Sequence, residues 1–316
     1  APIDQLVSNR ASSLRGRISI PGDKSISHRS LIFGSLAIGT TRVRGLLEGT
    51  DVMSTKDALI ALGVKISRKN DGLWHIEGVG LNGMISPIAP LDLGNSGTGA
   101  RLLMGVVAGQ KITATFCGDA SLSARPMARI TDPLAEMGAT ITSREGGLLP
   151  VTIQGTRSLI AAQHCSKIAS AQIKSAILLA GLNARGTTTV SEPSASRDHS
   201  ESMLRHFGVS IFQEVVEDKS YRVKLADGAN LQAADVIVPS DPSSAAFAIV
   251  AALITPGSDI DLCGIGMNPL RTGLITTLIE MGGNITKSNH RIEAGEAIAD
   301  LRLSLIHISE PTRPSL

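Results

Sequence analysis

The sequence predicts an α/β (α+β) protein assembled from internally repeated units. Three observations carry this. Four short amphipathic helix patterns, KDALIALG, TDPLAEMG, ESMLRHFG and ITTLIEMG, each end on a glycine, at Gly63, Gly138, Gly208 and Gly282. Glycine just past the last helical residue is a stop signal, because it accepts the left-handed conformation that other residues resist. Behind each glycine runs an alternating, strand-like stretch, and the glycines are spaced by 75, 70 and 74 residues. Finally, 32 Gly and a 42% hydrophobic content dominated by small and aliphatic side chains suit closely packed helices and sheets. A repeat of this size exceeds the ~20–50 residues of most solenoid repeats. It matches a strand–helix–strand–helix–strand–strand subdomain, and so a pseudo-symmetric α/β protein rather than an open solenoid.

Composition excludes other classes. The 316 residues carry 30 Lys+Arg against 28 Asp+Glu, a formal net charge of +2. The chain is too apolar for disorder and too balanced for a general nucleic-acid binder. With aromatics at 2%, few platforms exist for stacking bases. Cys117, Cys165 and Cys263 are odd in number and widely spaced, which indicates neither a disulfide framework nor a zinc site. The longest apolar run, Ala245 to Ile254, is about half a bilayer span, and the first residues lack a signal-peptide pattern. The expectation is a soluble protein of a reducing, cytoplasmic compartment, without nucleic-acid or membrane partners.

The motifs that carry chemistry recur at helix starts. In PGDKSISHRSLIFGSLA (Pro21 to Ala37), Pro-Gly makes a turn and Asp23 can cap the helix that follows. Lys24, Ser25 and Arg29 fall at or near its first turn, with Ser25 and Arg29 four apart on one face. A helix start with free N–H groups, a positive dipole end and a guanidinium is an anion site. The spacing is not that of a Walker A loop. LGNSGTGARLLMGVVAG (Leu93 to Gly109) opens an apolar helix with three glycines that admit an anion close to the backbone. LSARPMARITDPL (Leu122 to Leu134) places Arg125 just before another helix. ASAQIKSAILLAG (Ala169 to Gly181) puts Ser170, Gln172 and Lys174 at a helix start, and SEPSASRDHSESML (Ser191 to Leu204) does the same with Ser194, Ser196 and Arg197. If the repeats pack about a pseudo-threefold axis, these starts converge on one anion-attracting cleft, suited to a ligand with more than one phosphate or carboxylate. From Leu303 onward, LSLIHISEPTRPSL does not continue the repeat and reads as an adapter-derived, non-native tail over residues 303–316.

Together these five motifs, in this order, resemble the 5-enolpyruvylshikimate-3-phosphate synthase (3-phosphoshikimate 1-carboxyvinyltransferase) family over about Gln5 to Arg302. The resemblance implies a two-domain enolpyruvyl transferase fold built from repeated βαβαββ units, about four of six being present. It implies a complete three-unit domain over residues 20–235 and a partial second domain from residues 1–19 with 236–302, whose apolar faces would lack partners. The implied reaction moves the enolpyruvyl group of phosphoenolpyruvate to the 5-hydroxyl of shikimate 3-phosphate, through a tetrahedral intermediate, and releases phosphate. This is a step of the shikimate pathway to chorismate and the aromatic amino acids. No cofactor and no metal are implied, and a monomer is expected. By motif, shikimate 3-phosphate falls to Lys24, Ser25, Arg29, Ser170, Ala171, Gln172 and Arg197, and phosphoenolpyruvate to Lys24, Gly97, Arg125 and Gln172. Glyphosate is the expected inhibitor, since Gly97 stands where some insensitive members carry Ala. The family's acid–base residues belong to C-terminal motifs not found here, so this chain is expected to be catalytically inactive. The alternatives are a non-catalytic fragment that binds shikimate 3-phosphate, or the related UDP-N-acetylglucosamine enolpyruvyl transferase. The latter's first motif differs from DKSISHR, and Cys117 lies outside an equivalent of its reactive-cysteine loop. RNA 3′-terminal phosphate cyclases resemble the repeat only distantly, and no histidine here sits in their catalytic motif.

Overall fold

The structure, a computed structural model, describes residue 9, residues 12–216 and residues 220–305. Four βαβαββ runs follow one another. The first holds β1 (Arg15–Ile18), α1 (Lys24–Leu36), β2 (Ile38–Arg44), α2 (Thr50–Ala61), β3 (Lys65–Arg68) and β4 (Trp74–Val79). The second holds β5 (Leu91–Asp92), α3 (Gly97–Ala108), β6 (Thr113–Cys117), the short α4 (Ala120–Ser123), α5 (Ala128–Glu136), β7 (Thr140–Arg144) and β8 (Leu148–Gln154). The third holds β9 (Gln163–Cys165), α6 (Ala171–Gly181), β10 (Thr188–Glu192), α7 (His199–His206), β11 (Ile211–Val215) and β12 (Tyr221–Leu225). In the fourth are β13 (Val236–Ile237), α8 (Pro242–Ile254), β14 (Asp259–Gly266), α9 (Gly273–Glu280), β15 (Ile285–Glu293) and β16 (Glu296–Ser304).

The four glycines of the sequence repeat close α2, α5, α7 and α9. Their φ angles are +95°, +113°, +85° and +90°. At each, the glycine and the residue after it return N–H groups to the last helical turn; Gly63 donates to Ile60 at 2.9 Å and Val64 to Leu59 at 3.1 Å. This double closure satisfies carbonyls that a helix end otherwise leaves open, and only glycine takes its backbone angle without strain.

The sheets repeat one plan. Their orders are β13-β2-β4-β3, β5-β6-β8-β7, β9-β10-β12-β11 and β1-β14-β16-β15. Each has a parallel pair at one edge, for example β5–β6 with Leu91 opposite Phe116, and antiparallel strands beyond it. The first strands of the first and fourth runs are exchanged. β1 pairs in parallel with β14, and β13 pairs in parallel with β2. The chain accordingly divides into two compact units, Gly22–Val238 with Glu293–Glu296, and the described parts of residues 1–21 and 297–316 with Pro239–Ile292.

In the larger unit, α3 packs against α1 and α6. The approach of α3 to α6 requires Gly105, where a Cβ would lie 2.2 Å from the Ala176 carbonyl oxygen. Ile26 to Leu36, Leu102 to Ala108 and Ile173 to Gly181 are buried without interruption. Phe33 and Phe207 meet edge to face at 6.0 Å in the same core. In the smaller unit, Ile249, Leu262, Ile275 and Leu301 form a separate core, while α8 leaves Phe247, Val250 and Ile254 exposed.

One boundary differs from the sequence reading. Leu303 and Ser304 continue β16 opposite Ile260 and Asp259, and Leu303 is buried. The strand persists past Arg302 because the inward alternation of Leu301 carries on to Leu303. The rest of the expected tail, from residue 306, lies outside the described residues.

His28 is buried in α1 with Nδ1 2.8 Å from Thr55 Oγ1 and no partner for Nε2. Burial, followed by the charge of Arg29, lowers its pKa from 6.5 to about 3. The unfolded chain therefore protonates this residue first. Its contribution to stability is complete above pH 6.5 and is lost as the pH falls toward 3. Differential scanning calorimetry should show Tm falling between pH 7 and pH 4, less steeply in His28→Gln. Equal slopes in the two proteins would contradict this assignment.

Candidate functional site

In every run the helix that follows the first strand begins on a side-chain cap. Asp23 Oδ1 accepts the Ile26 N–H at 2.9 Å at α1, and Ser96 Oγ accepts the Gly99 N–H at 3.2 Å at α3. Ser170 Oγ accepts the Ile173 N–H at 3.5 Å at α6, and Asp241 accepts the Ser243 and Ser244 N–H groups at α8. Such caps fix where a helix starts and leave its other first-turn N–H groups to a ligand or water.

Beside the starts of α3 and α6 lies a cavity of about 320 Å³. Its walls are Arg101 from α3, Arg125 and Pro126 from the α4–α5 connection, Arg129 and Ile130 from α5, and Ser170, Gln172 and Ile173 from α6 with its cap. Three guanidiniums face this space and no carboxylate lines it. Arg125 is held by hydrogen bonds to Asn95 Oδ1 and, at 3.0 Å, to Ser121 Oγ. Arg101 donates to Gln172 Oε1 at 2.9 Å, and Gln172 Nε2 donates to Thr98 Oγ1 at 3.0 Å, so this glutamine ties α6 to α3. Partial burial, then the charges of Arg125 and Arg129, lower the pKa of Arg101. A cluster of like charges in a half-dry wall is relieved by a bound anion, and guanidinium forks match phosphate or carboxylate oxygens two at a time.

Of the residues singled out by sequence, Arg125, Ser170 and Gln172 meet in this cavity, and Ala171 is the first residue of α6. Gly97 opens α3 beside them. A Cβ there would come 2.9 Å from Arg101 Nη1 and 3.2 Å from Arg125 Nη1. Lys24 does not line the cavity; it pairs with Asp51 at 3.1 Å and is 53% exposed. An ion pair this exposed contributes little and exchanges readily for a better anion.

Ser25 and Arg29 act as one group. Arg29 is 3% exposed and donates to the Ser25 carbonyl at 3.0 Å, to Ser200 Oγ at 2.8 Å and to Ser175 Oγ at 2.9 Å. Burial is the main reason its pKa falls to about 10; Glu201 opposes the shift. Arg197 is exposed just before α7, close enough for its charge to add to that lowering.

Sequence reasoning passed over Arg101 and Arg129. The spacing that joined Ser25 to Arg29 would have found them, since Arg101 follows Gly97, and Arg129 follows Arg125, by four residues. It also set Lys174 among the polar residues of a helix start, whereas the side chain is wholly buried between Glu192 and Glu201. Among the described residues, no group of three His, Cys, Asp or Glu side chains is arranged to hold a metal, and no helix is long and apolar enough to cross a membrane.

Fold and site thus define an α/β protein of repeated βαβαββ subdomains that gathers cationic helix starts around an anion cavity. The EPSP synthase (3-phosphoshikimate 1-carboxyvinyltransferase) family matches residues 9–314, and the chain belongs to that family. A 3-phosphoshikimate 1-carboxyvinyltransferase of Methylorubrum populi is 57% identical over 296 residues, which is 93% of this chain and 65% of that relative. One from a Methylobacterium species is 56% identical over 304 residues, covering 95% of this chain and 68% of the relative. A solved structure of EPSP synthase from Acinetobacter baumannii superposes with a TM-score of 0.87 at 46% identity, covering 93% of this chain and 65% of that one. The chain therefore spans about two thirds of the length of these relatives.

A methyl group at position 97 would meet the ends of two flexible arginines and, in ordinary contact at 3.6 Å, Leu122 Cδ1, but no backbone atom among its nearest neighbours. Gly97→Ala should therefore fold with a Tm within a few degrees of the wild type, yet weaken the binding of inorganic phosphate about tenfold in calorimetric titration. Unchanged affinity would show that the ligand does not approach this face.

Proposed function

We propose that this chain carries the shikimate 3-phosphate site, and the phosphate-binding wall of the phosphoenolpyruvate site, of an enolpyruvyl transferase. The whole reaction adds the 5-hydroxyl of shikimate 3-phosphate to C2 of phosphoenolpyruvate while C3 takes a proton. Loss of that proton's equivalent and of phosphate then restores the double bond in the product. The observation that carries this reading is the convergence of Arg101, Arg125 and Arg129 with Ser170 and Gln172 on one cavity. Guanidiniums set around a phosphate stabilise it both in the substrate and as it leaves. At the starts of α1 and α6 and in the loop before α7, Ser25, Ala171 and Arg197 supply donors suited to the phosphate and carboxylate of shikimate 3-phosphate, and buried Arg29 holds Ser25 by its carbonyl.

A second reading, binding without turnover, is favoured by the same cavity. Its walls hold guanidiniums, a serine and a glutamine, but no carboxylate, imidazole or amine. Guanidiniums stay protonated near neutral pH and so cannot move the proton that addition and elimination each require. In this reading Lys24 reaches both ligands by leaving Asp51, and no metal or cofactor takes part.

Titration calorimetry separates the readings. Shikimate 3-phosphate should bind the wild-type chain, and phosphoenolpyruvate should bind more tightly once it is present. Arg125→Ala should cost phosphoenolpyruvate at least about tenfold while leaving shikimate 3-phosphate within about threefold. Glyphosate should displace phosphoenolpyruvate and lose more affinity than it in Gly97→Ala. Substrate-dependent phosphate release by the chain would eliminate the second reading. Absence of heat with either substrate would eliminate both.

A further inference from the structure

Two of the segments assigned to shikimate 3-phosphate are separated in sequence. One is the α6 start, Ser170 to Gln172; the other is the loop before α7 that carries Arg197. Both are fastened to a single buried carboxylate, that of Glu192 at the end of β10. Glu192 Oε1 accepts the Ser170 N–H at 2.6 Å. Its Oε2 accepts the Ser196 hydroxyl at 2.6 Å and lies 3.2 Å from Lys174 Nζ. Lys174 completes the arrangement by donating to the Ser196 carbonyl at 3.2 Å. Ser196 is thereby held at both its hydroxyl and its carbonyl, one residue before Arg197. Ser170 is held at its N–H in an extended conformation, with φ −150° and ψ 105°, one residue before the first turn of α6.

The ion pair is completely interior. Lys174 is 0% exposed and Glu192 is 1% exposed. Glu201 meets the same ammonium from α7 at 2.8 Å, and the Tyr221 ring lies under it at 5.6 Å. Burying such a pair seldom adds net stability over apolar side chains of similar volume. What it supplies here is direction. A carboxylate has acceptor sites for several donors at once, and the lysine neutralises it from beneath. No apolar residue could join the same two loops.

We propose that Glu192, neutralised by Lys174, is a positioning residue. It sets the distance between the α6 start and the loop bearing Arg197, so that both meet one ligand. The ligand class follows the reading above, a phosphorylated hydroxy acid such as shikimate 3-phosphate. Glu201 shares the lysine but has no bond to either segment, and so provides the control.

The test compares Glu192→Gln, Glu201→Gln and the double variant Lys174→Met/Glu192→Gln with the wild-type chain. The double variant leaves no unpaired ammonium, and it serves if Glu192→Gln alone does not fold. Two quantities are read on proteins that fold by circular dichroism: amide exchange at Ser170 and residues 194–198 without ligand, and the calorimetric Kd for shikimate 3-phosphate. Loss of the carboxylate should speed exchange in both segments about tenfold and weaken binding about tenfold. Glu201→Gln should stay within about threefold of wild type on both counts. Unchanged exchange and affinity in a folded variant lacking Glu192 would overturn the proposal. So would equal losses in Glu201→Gln, which would mark the pair as merely structural. If the wild-type chain itself ignores shikimate 3-phosphate, the substrate assignment falls. Exchange then still decides the clamp, upholding it if both segments accelerate and overturning it if they do not.

Discussion

Two helices, α1 and α6, are buried almost to their ends and leave only their first turns in contact with solvent, and this constraint shapes the rest of the site. In α1 the run from Ile26 to Leu36 is buried, while Lys24 and Ser25 are not. In α6 burial runs from Ile173 to Gly181 and spares Ala171 and Gln172. Polar chemistry can then enter only at the N-terminal ends. There it finds unpaired N–H groups and the positive end of each helix dipole. An anion site follows from the packing before any particular ligand is considered. The small residues that let α3 and α6 approach, Gly105 and Ala176, are part of the same device.

Electrostatics then separate two kinds of cation. Arg101, Arg125 and Arg129 face the open cavity without carboxylate partners among its walls, and a ligand can offset their mutual repulsion. Arg29 and Lys174 lie inside, their donors taken by Ser25, Ser175, Ser200, Ser196 and two glutamates. The first group attracts, and the second holds the attracting parts in place. Burial raises the pKa of Glu201, and the nearby Lys174 ammonium opposes that rise.

Much of this was legible in the sequence because its causes are local. A glycine that ends a helix, an Asp or Ser that begins one and a strand that alternates are each set within a few residues. The repeat of Gly63, Gly138, Gly208 and Gly282 exposed the βαβαββ plan for that reason. What local pattern could not show is which distant residues meet. Lys174 reads as one more polar residue near a helix start, because Glu192 and Glu201, which bury it, lie on other elements. Arg101 hides inside an apolar helix pattern, and Arg129 inside a surface one. The continuation of β16 through Leu303 was missed because the stretch from Leu303 was read as not continuing the repeat, although the alternation that keeps a strand in its sheet runs on to Leu303.

The central claim is that the starts of α1 and α6 and the loop before α7 jointly hold one ligand. It is tested most directly by a crystal structure of this chain grown with shikimate 3-phosphate. The account predicts density in contact with Ser25, Ser170, Gln172 and Arg197, with the guanidiniums of Arg101 and Arg125 still open to a second anion. Density bound elsewhere on the larger unit, touching none of these helix starts, would contradict it.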